Sequence, residues 1–153
     1  MALLSGFLRG GKRSSRRGER GFTLVEILVV ITIIGLIMAL VAPRVLNYLS
    51  IAKVKAAAIQ IQSLSSTLDL YYLDTGRYPS TSEGLEALVQ RPAGVEGWNG
   101  PYLKGAFVPK DPWGHPYVYR MPGEHGVYDI ISYGSDGQQG GTGAEADVTS
   151  WQH

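Results

Sequence analysis

The feature that most limits what this chain can become is the apolar run Phe22–Ala42, broken only by Thr23, Glu26 and Thr32 among its polar positions. Its 21 residues rise roughly 31 Å as a helix, which matches the ~30 Å hydrocarbon core of a bilayer. The segment predicts a membrane span. A cleavable secretory signal is the bland alternative, but the run is long for one. No A-x-A-like site follows it either, because "MALVAPRVLNYLS" continues into another helical pattern.

Charge sets the expected orientation. Residues 1–21 hold six bases, Arg9, Lys12, Arg13, Arg16, Arg17 and Arg20, against Glu19, a net of +5. The remaining residues hold eight bases and twelve acids, a net of −4. All the basic character lies in an arm that runs directly into the span. The positive-inside bias therefore predicts a cytoplasmic arm and an exported remainder, and it leaves nucleic acid without a binding surface. The apolar "MALLSGFL" at the start of the arm is too short to span. With no cysteine in 153 residues, neither a disulfide framework nor a thiolate metal site is possible.

Pro43 removes a backbone donor and crowds the preceding turn, so a kink or local melting is expected there. The helical period nevertheless resumes at once. Ile51, Val54, Ala58, Ile61, Leu64, Leu68 and Tyr72 recur at spacings of three and four, with Lys53, Lys55, Gln60, Gln62 and Asp69 off the stripe. "DTGRYP" is the stop, with Gly76 as cap and Pro79 blocking continuation. The pattern predicts one helix over about residues 23–75, apolar all round in its first half and one-sided in its second. Arg77, Tyr78 and Pro79 would form the corner into a globular part.

That part reads as small α+β. "YPSTSEGLEALVQRP" predicts a short helix, with Ser80 and Glu83 at capping-box spacing and Leu85, Leu88 and Val89 facing inward. Tyr117–Tyr119 and the run holding Val127, Tyr128, Ile130 and Ile131 carry strand signals, joined by "MPGEHG" as a hairpin. In "DPWG" turn chemistry surrounds Trp113, which is expected to be a core anchor. The sheet is too small to bury a core alone, and the one-sided half-helix supplies the missing wall. The C-terminal stretch has Gly134, Gly137, Gly140, Gly141 and Gly143 in ten residues, with no helical or strand period.

Enzymatic constellations are lacking. His115, His125 and His153 show no ligand spacing and no HExxH partner, and "GQQGGTG" does not join a strand to a helix. The informative residue is Glu26. A lone carboxylate in a membrane helix is costly, about 2.5–3.5 kcal/mol at the centre and less near the interface. It either snorkels to the headgroups or meets a cation from another chain. Cleavage between Gly21 and Phe22 would create such a cation, an α-ammonium that one helix cannot easily bring to its own Glu26 but a staggered neighbour can.

"RGFTLVE" followed by a long apolar helix resembles the signal of type IV pilins and type II secretion pseudopilins. The resemblance implies cleavage after Gly21 by a prepilin peptidase, N-methylation of Phe22, and a role for Glu26 in assembly. "RYPSTSEGLEALVQRP", "GPYLK", "VPKDPWGHPYVYR", "PGEHGVYDIISYGSDG" and "ADVTSW" further resemble the major pseudopilin family, the G component, of type II secretion systems. Major type IV pilins usually carry a C-terminal disulfide loop, which a chain without cysteine cannot form; the resemblance implies a calcium loop in its place, with Asp136 and Asp147 among the ligands. Ala146 stands where some members have a further acid.

The implied protein is α+β and type IV pilin-like, a long N-terminal helix packed on a small antiparallel sheet. Its expected parts are a cleaved leader (1–21), a transmembrane and polymerisation helix (22–43), the amphipathic half of that helix (44–76), and a periplasmic globular domain (77–153). It would sit in a bacterial inner membrane as a single-pass precursor with a cytoplasmic N-terminus. It would then polymerise with itself into a periplasmic pseudopilus that helps export folded proteins, without catalytic activity. Expected partners are the prepilin peptidase, minor pseudopilins and an inner-membrane assembly platform. Gly35 and Pro43 would let the helix bend or loosen during extraction. The alternatives are a surface type IV pilin and a membrane-anchored periplasmic binding domain.

Overall fold

The structure, a computed structural model, describes residues 21–152, so the leader up to residue 20 and His153 lie outside it. The described residues fall into two units, divided between Leu40 and Val41. One helix, α1 (Leu24–Thr75, 52 residues), enters both.

The helix begins where the sequence provides a cap. The Glu26 backbone N–H donates to Thr23 Oγ1 at 3.2 Å, which satisfies one of the otherwise orphaned donors of the first turn. Thr32 donates its hydroxyl to Leu28 O at 2.7 Å, so this polar side chain places no unmet group in the apolar run. The helix passes through Pro43 without interruption. Local melting there is absent; the proline costs only the donor that Ala39 O would have accepted, and the apolar periodicity on both sides carries the helix on. It ends as expected: Gly76 adopts φ +73° and donates its N–H to Tyr72 O at 2.8 Å, a left-handed C-terminal cap.

In the second unit the helix buries Ala57, Ile61, Leu64, Leu68 and Tyr71. The strict 4-3-4-3 spacing of these residues defines one seam. This corrects the predicted stripe: Ile51, Ala58 and Tyr72 are exposed, and the buried face is rotated to Ala57 and Tyr71. The reason is that residues 51–73 are apolar on more than one face, and packing selected the face that the sheet covers.

The wall opposite consists of Leu85, Ala87, Leu88, Val95, Tyr117, Tyr119, Ile130 and Val148, with Trp98 and Trp113 packed at its margin. Three strands, β1 (Val118–Arg120), β2 (Asp129–Ser132) and β3 (Val148–Thr149), form an antiparallel sheet in that order. Val118 faces Ile131 and Arg120 faces Asp129 in the first pair, and Ser132 faces Val148 in the second. The central strand is buried throughout. Tyr117 and Tyr119 fasten sheet to helix-side segments by donating their hydroxyls to Gln60 Oε1 (2.6 Å) and Pro79 O (2.8 Å). Burial removes water from both phenols and pushes their pKa values up.

The predicted helix after Pro79 is only partly formed. Ser80 and Glu83 make the reciprocal capping box, Ser80 N–H to Glu83 Oε2 at 2.7 Å and Glu83 N–H to Ser80 Oγ at 3.3 Å. Gly84 then turns to φ +64°, and only a short 3-10 turn, Leu85–Leu88, follows. Tyr117, Val127 and Tyr128, predicted in strands, lie just outside them, and β3 was not foreseen.

Candidate functional site: the helix start and the C-terminal loop

At the N-terminal end Gly21, Phe22 and Glu26 are all exposed. A Cβ built on Gly21 meets nothing within 4 Å, so nothing in this chain requires glycine there. Thr23 and Glu26 stand at the spacing of a capping box, T-x-x-E, a second meaning of the acid that the reading of the sequence overlooked. Glu26 lies in the first turn, where the unpaired N–H groups of the helix favour a carboxylate. Among the described residues, its side chain forms no salt bridge or hydrogen bond.

The apolar half-helix has no cover from its own chain. Leu24 is 82% exposed, and none of the most apolar 18-residue window is buried. Such a surface requires a bilayer or other helices around it. Gly35 likewise has open space where a Cβ would sit, so its missing side chain offers a place for a neighbouring helix to approach closely.

At the other end of the chain the glycine-rich loop between β2 and β3 is folded on itself. Ser135 N–H donates to Ala144 O at 2.9 Å, and Glu145 N–H to Thr142 O at 3.2 Å. Gly134 and Gly141 make the crossing possible. Both have positive φ, and a Cβ would fall 2.8 Å from Glu145 O at the first and 2.5 Å from it at the second. The two predicted acids hold the loop through backbone donors. Asp136 Oδ1 accepts from Gln138 N–H at 3.1 Å, and both oxygens of Asp147 accept from Gly140 N–H at 3.0 and 3.1 Å.

In kind, these residues fit a hard cation: two aspartates with free lone pairs, among glycines whose carbonyls can turn. Among the described residues no three side chains of metal-binding type gather at one point. Backbone carbonyl oxygens would have to complete the coordination.

The loop is braced from outside by the "DPWG" turn. Asp111, its side chain fully buried, accepts from Trp113 N–H (3.1 Å), His115 N–H (2.8 Å) and the Ser132 hydroxyl (2.6 Å). His115 Nδ1 then lies 3.1 Å from Gly134 O, at the start of the loop. This bracing was not read from the sequence; "DPWG" announced a turn, not the distant serine that its aspartate holds.

Comparison with known proteins covers both the apolar helix and the folded part. The model of the prokaryotic N-terminal methylation motif matches residues 16–42, and that of type II secretion system protein G matches residues 44–151. The type II secretion system core protein G of Pseudomonas aeruginosa is 46% identical over 142 residues, 90% of this chain and 99% of that protein. Its counterpart in Vibrio cholerae is 42% identical over 138 residues, 88% of this chain and 93% of that one. Among solved structures, the crystal structure of the major pseudopilin from the type 2 secretion system of enterohaemorrhagic Escherichia coli matches with a TM-score of 0.57. It is 36% identical and covers 65% of this chain and 83% of its own. With the methylation motif on its apolar helix and the protein G match across its folded part, the chain belongs to the type II secretion system protein G family, the major pseudopilins, which are structural subunits and not enzymes.

Proposed function

We propose that this chain is made as an inner-membrane precursor, cut after Gly21, methylated at Phe22 and polymerised into a periplasmic pseudopilus that helps folded proteins cross the outer membrane. The observation that supports it most is the uncovered apolar half-helix with one acid in its first turn, in a chain of the major pseudopilin family. An anchor needs only to be apolar. A carboxylate at that position costs more in hydrocarbon than the helix start returns, and a neighbour's cation would offset the difference.

In the filament the half-helices Phe22–Ala42 form the core and the folded parts tile the outside. The α-ammonium of one subunit pairs with Glu26 of its neighbour, which fixes the axial stagger. Basic residues in the leader hold the N-terminus in the cytoplasm before cleavage. The prepilin peptidase, the minor pseudopilins and an inner-membrane assembly platform are the partners this sequence of events requires. The resident ion of the C-terminal loop is calcium, held by Asp136, Asp147 and backbone carbonyls. It would order a glycine-rich segment whose backbone entropy few apolar side chains offset.

Processing is tested by the mass of the mature protein, expected to begin at methylated Phe22. Gly21→Val should leave a membrane-inserted precursor about 21 residues longer, counted from the leader. Mature protein of ordinary size from that variant, or an intact Met1 in the wild type, would overturn this reading in favour of a plain anchor.

A further inference from the structure

His125 has no part in processing or assembly as described, yet its ring is held on both an edge and a face. It lies in the turn between β1 and β2. There the buried carboxylate of Asp129 accepts the backbone N–H groups of Glu124 at 2.8 Å and His125 at 3.3 Å. The Nδ1 of His125 lies 3.2 Å from Asp129 Oδ2. One face of the ring stacks on Trp151, with centroids 3.8 Å apart and planes 6° from parallel.

Trp151 follows a strand of only two residues, Val148–Thr149. Beyond that pairing, the C-terminal segment is held by Ser150, whose N–H donates to Ile130 O at 3.0 Å and whose Oγ accepts from Ile130 N–H at 3.1 Å. A ladder this short is weak alone, so the stack matters for where the segment ends. The glycine-rich loop is anchored at its far end by the same segment.

We propose that His125 is a proton-operated latch for the C-terminal segment. As an imidazolium it donates Nδ1–H to Asp129 and presents a cation to the indole face of Trp151, and both contacts are then charge-assisted. As a neutral ring it retains the stack without the charge. Acidification therefore fastens Val148–Trp151 and the far end of the loop, and alkalinisation loosens them.

The surroundings agree with that sign. Asp129 touches the ring, and Glu124 beside it is shared with Arg120 at 3.5 Å. Ser65 of α1, Tyr78, Tyr128 and Ser150 line the same open cleft without a cation. Behind them Tyr78 donates its hydroxyl to Asp69 at 3.0 Å. Arg120 is the one base in this group, and it is already opposite Glu124.

The test uses the mature full-length chain in detergent micelles. Imidazolium quenches a stacked indole more strongly than neutral imidazole does, so tryptophan emission should fall as the pH is lowered from ~8 to ~5, the range in which histidine titrates. The change should vanish in both His125→Gln and Trp151→Phe, although Trp98 and Trp113 remain. Amide exchange of Val148–Trp151, corrected for its intrinsic pH dependence, should be about two- to fivefold slower at the acidic end in the wild type, and unchanged with pH in His125→Gln. Flat emission in the wild type, or a transition that survives in His125→Gln, would overturn the latch. Should a variant lose its helical circular dichroism, the wild-type imidazole proton resonances decide: one histidine must be shielded by an indole, its shift with pH must be mirrored by the Trp151 ring resonances, and the absence of such a residue is equally fatal.

Discussion

Glu26 has two physical roles that predict different outcomes. Locally, it is the acid of a first helical turn, where a carboxylate is worth about 0.3–1 kcal/mol, and it follows a threonine cap made at 3.2 Å. Between subunits, it would be the only carboxylate in the apolar run available to a neighbour's ammonium. Glu26→Gln keeps the shape and the hydrogen-bonding capacity but removes the charge, whereas Thr23→Val removes the cap and keeps the charge. The expected outcome is that Glu26→Gln inserts normally but loses intersubunit crosslinking and reporter secretion, because an unpaired buried charge costs on the order of 3–5 kcal/mol. Thr23→Val should assemble. The reverse pattern would make Glu26 a capping residue only. Arg77 and Glu83 give a second prediction at this scale. Their bidentate pair, at 2.7 and 2.6 Å, together with the capping hydrogen bonds from Ser80, holds the Glu83 carboxyl down to about 2 and raises the Arg77 guanidinium. A depressed carboxylate contributes stability that is complete above its unfolded value, ~4.3, and is lost as the pH falls towards 2. Arg77 is nearly half exposed, so screening limits the contribution; Glu83→Gln should cost about 1 kcal/mol at neutral pH. The gap in melting temperature between wild type and variant should narrow below pH ~4 and close as the pH approaches 2. A gap independent of pH would mean that the carboxylate charge contributes nothing.

At the scale of elements, the end of α1 was legible because Gly76, with its positive φ, is a local stop, whereas its start was read from the apolar run and the cap at Thr23 is seen only in the structure. The phase of its buried face was not. Two apolar stripes overlap between residues 57 and 73. Ala57, Ile61, Leu64, Leu68 and Tyr71 are buried, while Ile59, Leu70 and Leu73 remain 68%, 53% and 76% exposed. Periodicity reports that apolar faces exist, and only the partner layer decides which one turns inward. The second stripe is uncovered in the single chain, and the proposed polymer would place neighbouring subunits against it. This predicts a contrast between two substitutions. Leu64→Ala should destabilise the folded part by about 2–5 kcal/mol, measured by denaturant unfolding in detergent. Leu73→Ser should change that stability by less than ~0.5 kcal/mol yet reduce intersubunit crosslinking. Normal crosslinking in Leu73→Ser would assign the exposed stripe no role in the polymer. The short elements were harder to read for reasons just as local. The capping box at Ser80 formed as its spacing predicts, but Gly84 at φ +64° ends the turn that it started. Strand β3 is too short, at two residues, to show any alternation.

At the scale of the whole molecule, what was legible in the sequence is what must be recognised by other machinery. Gly21, Phe22 and Glu26 fall in the stretch that matches the N-terminal methylation motif, a linear pattern of the kind a peptidase would read, and the apolar run after it is one that a membrane would read. The C-terminal loop is different. Its acids were identified through the family resemblance, but its crossing at Glu145 and its brace from His115 depend on contacts between residues far apart in sequence. The loop is also where a bound ion would affect the entire folded part, since it joins the central strand to the last one. If calcium binds there, saturation at 100 times its dissociation constant stabilises the fold by about 2.7 kcal/mol, roughly 5–11 °C in melting temperature for a chain of this size. The full-length protein in detergent should therefore melt higher with calcium than with chelator, as followed by near-ultraviolet circular dichroism. Asp136→Ala and Asp147→Ala should each abolish that difference, but for separable reasons. Asp147 also accepts the Gly140 N–H through both oxygens, so Asp147→Ala should melt below the wild type even in chelator, by the equivalent of about 1 kcal/mol. Asp136 holds only a local turn with Gln138, and its alanine variant in chelator should melt close to the wild type. Equal melting of the wild type with calcium and with chelator would leave Asp147 as a purely structural residue, and the loop as one that its own hydrogen bonds suffice to hold.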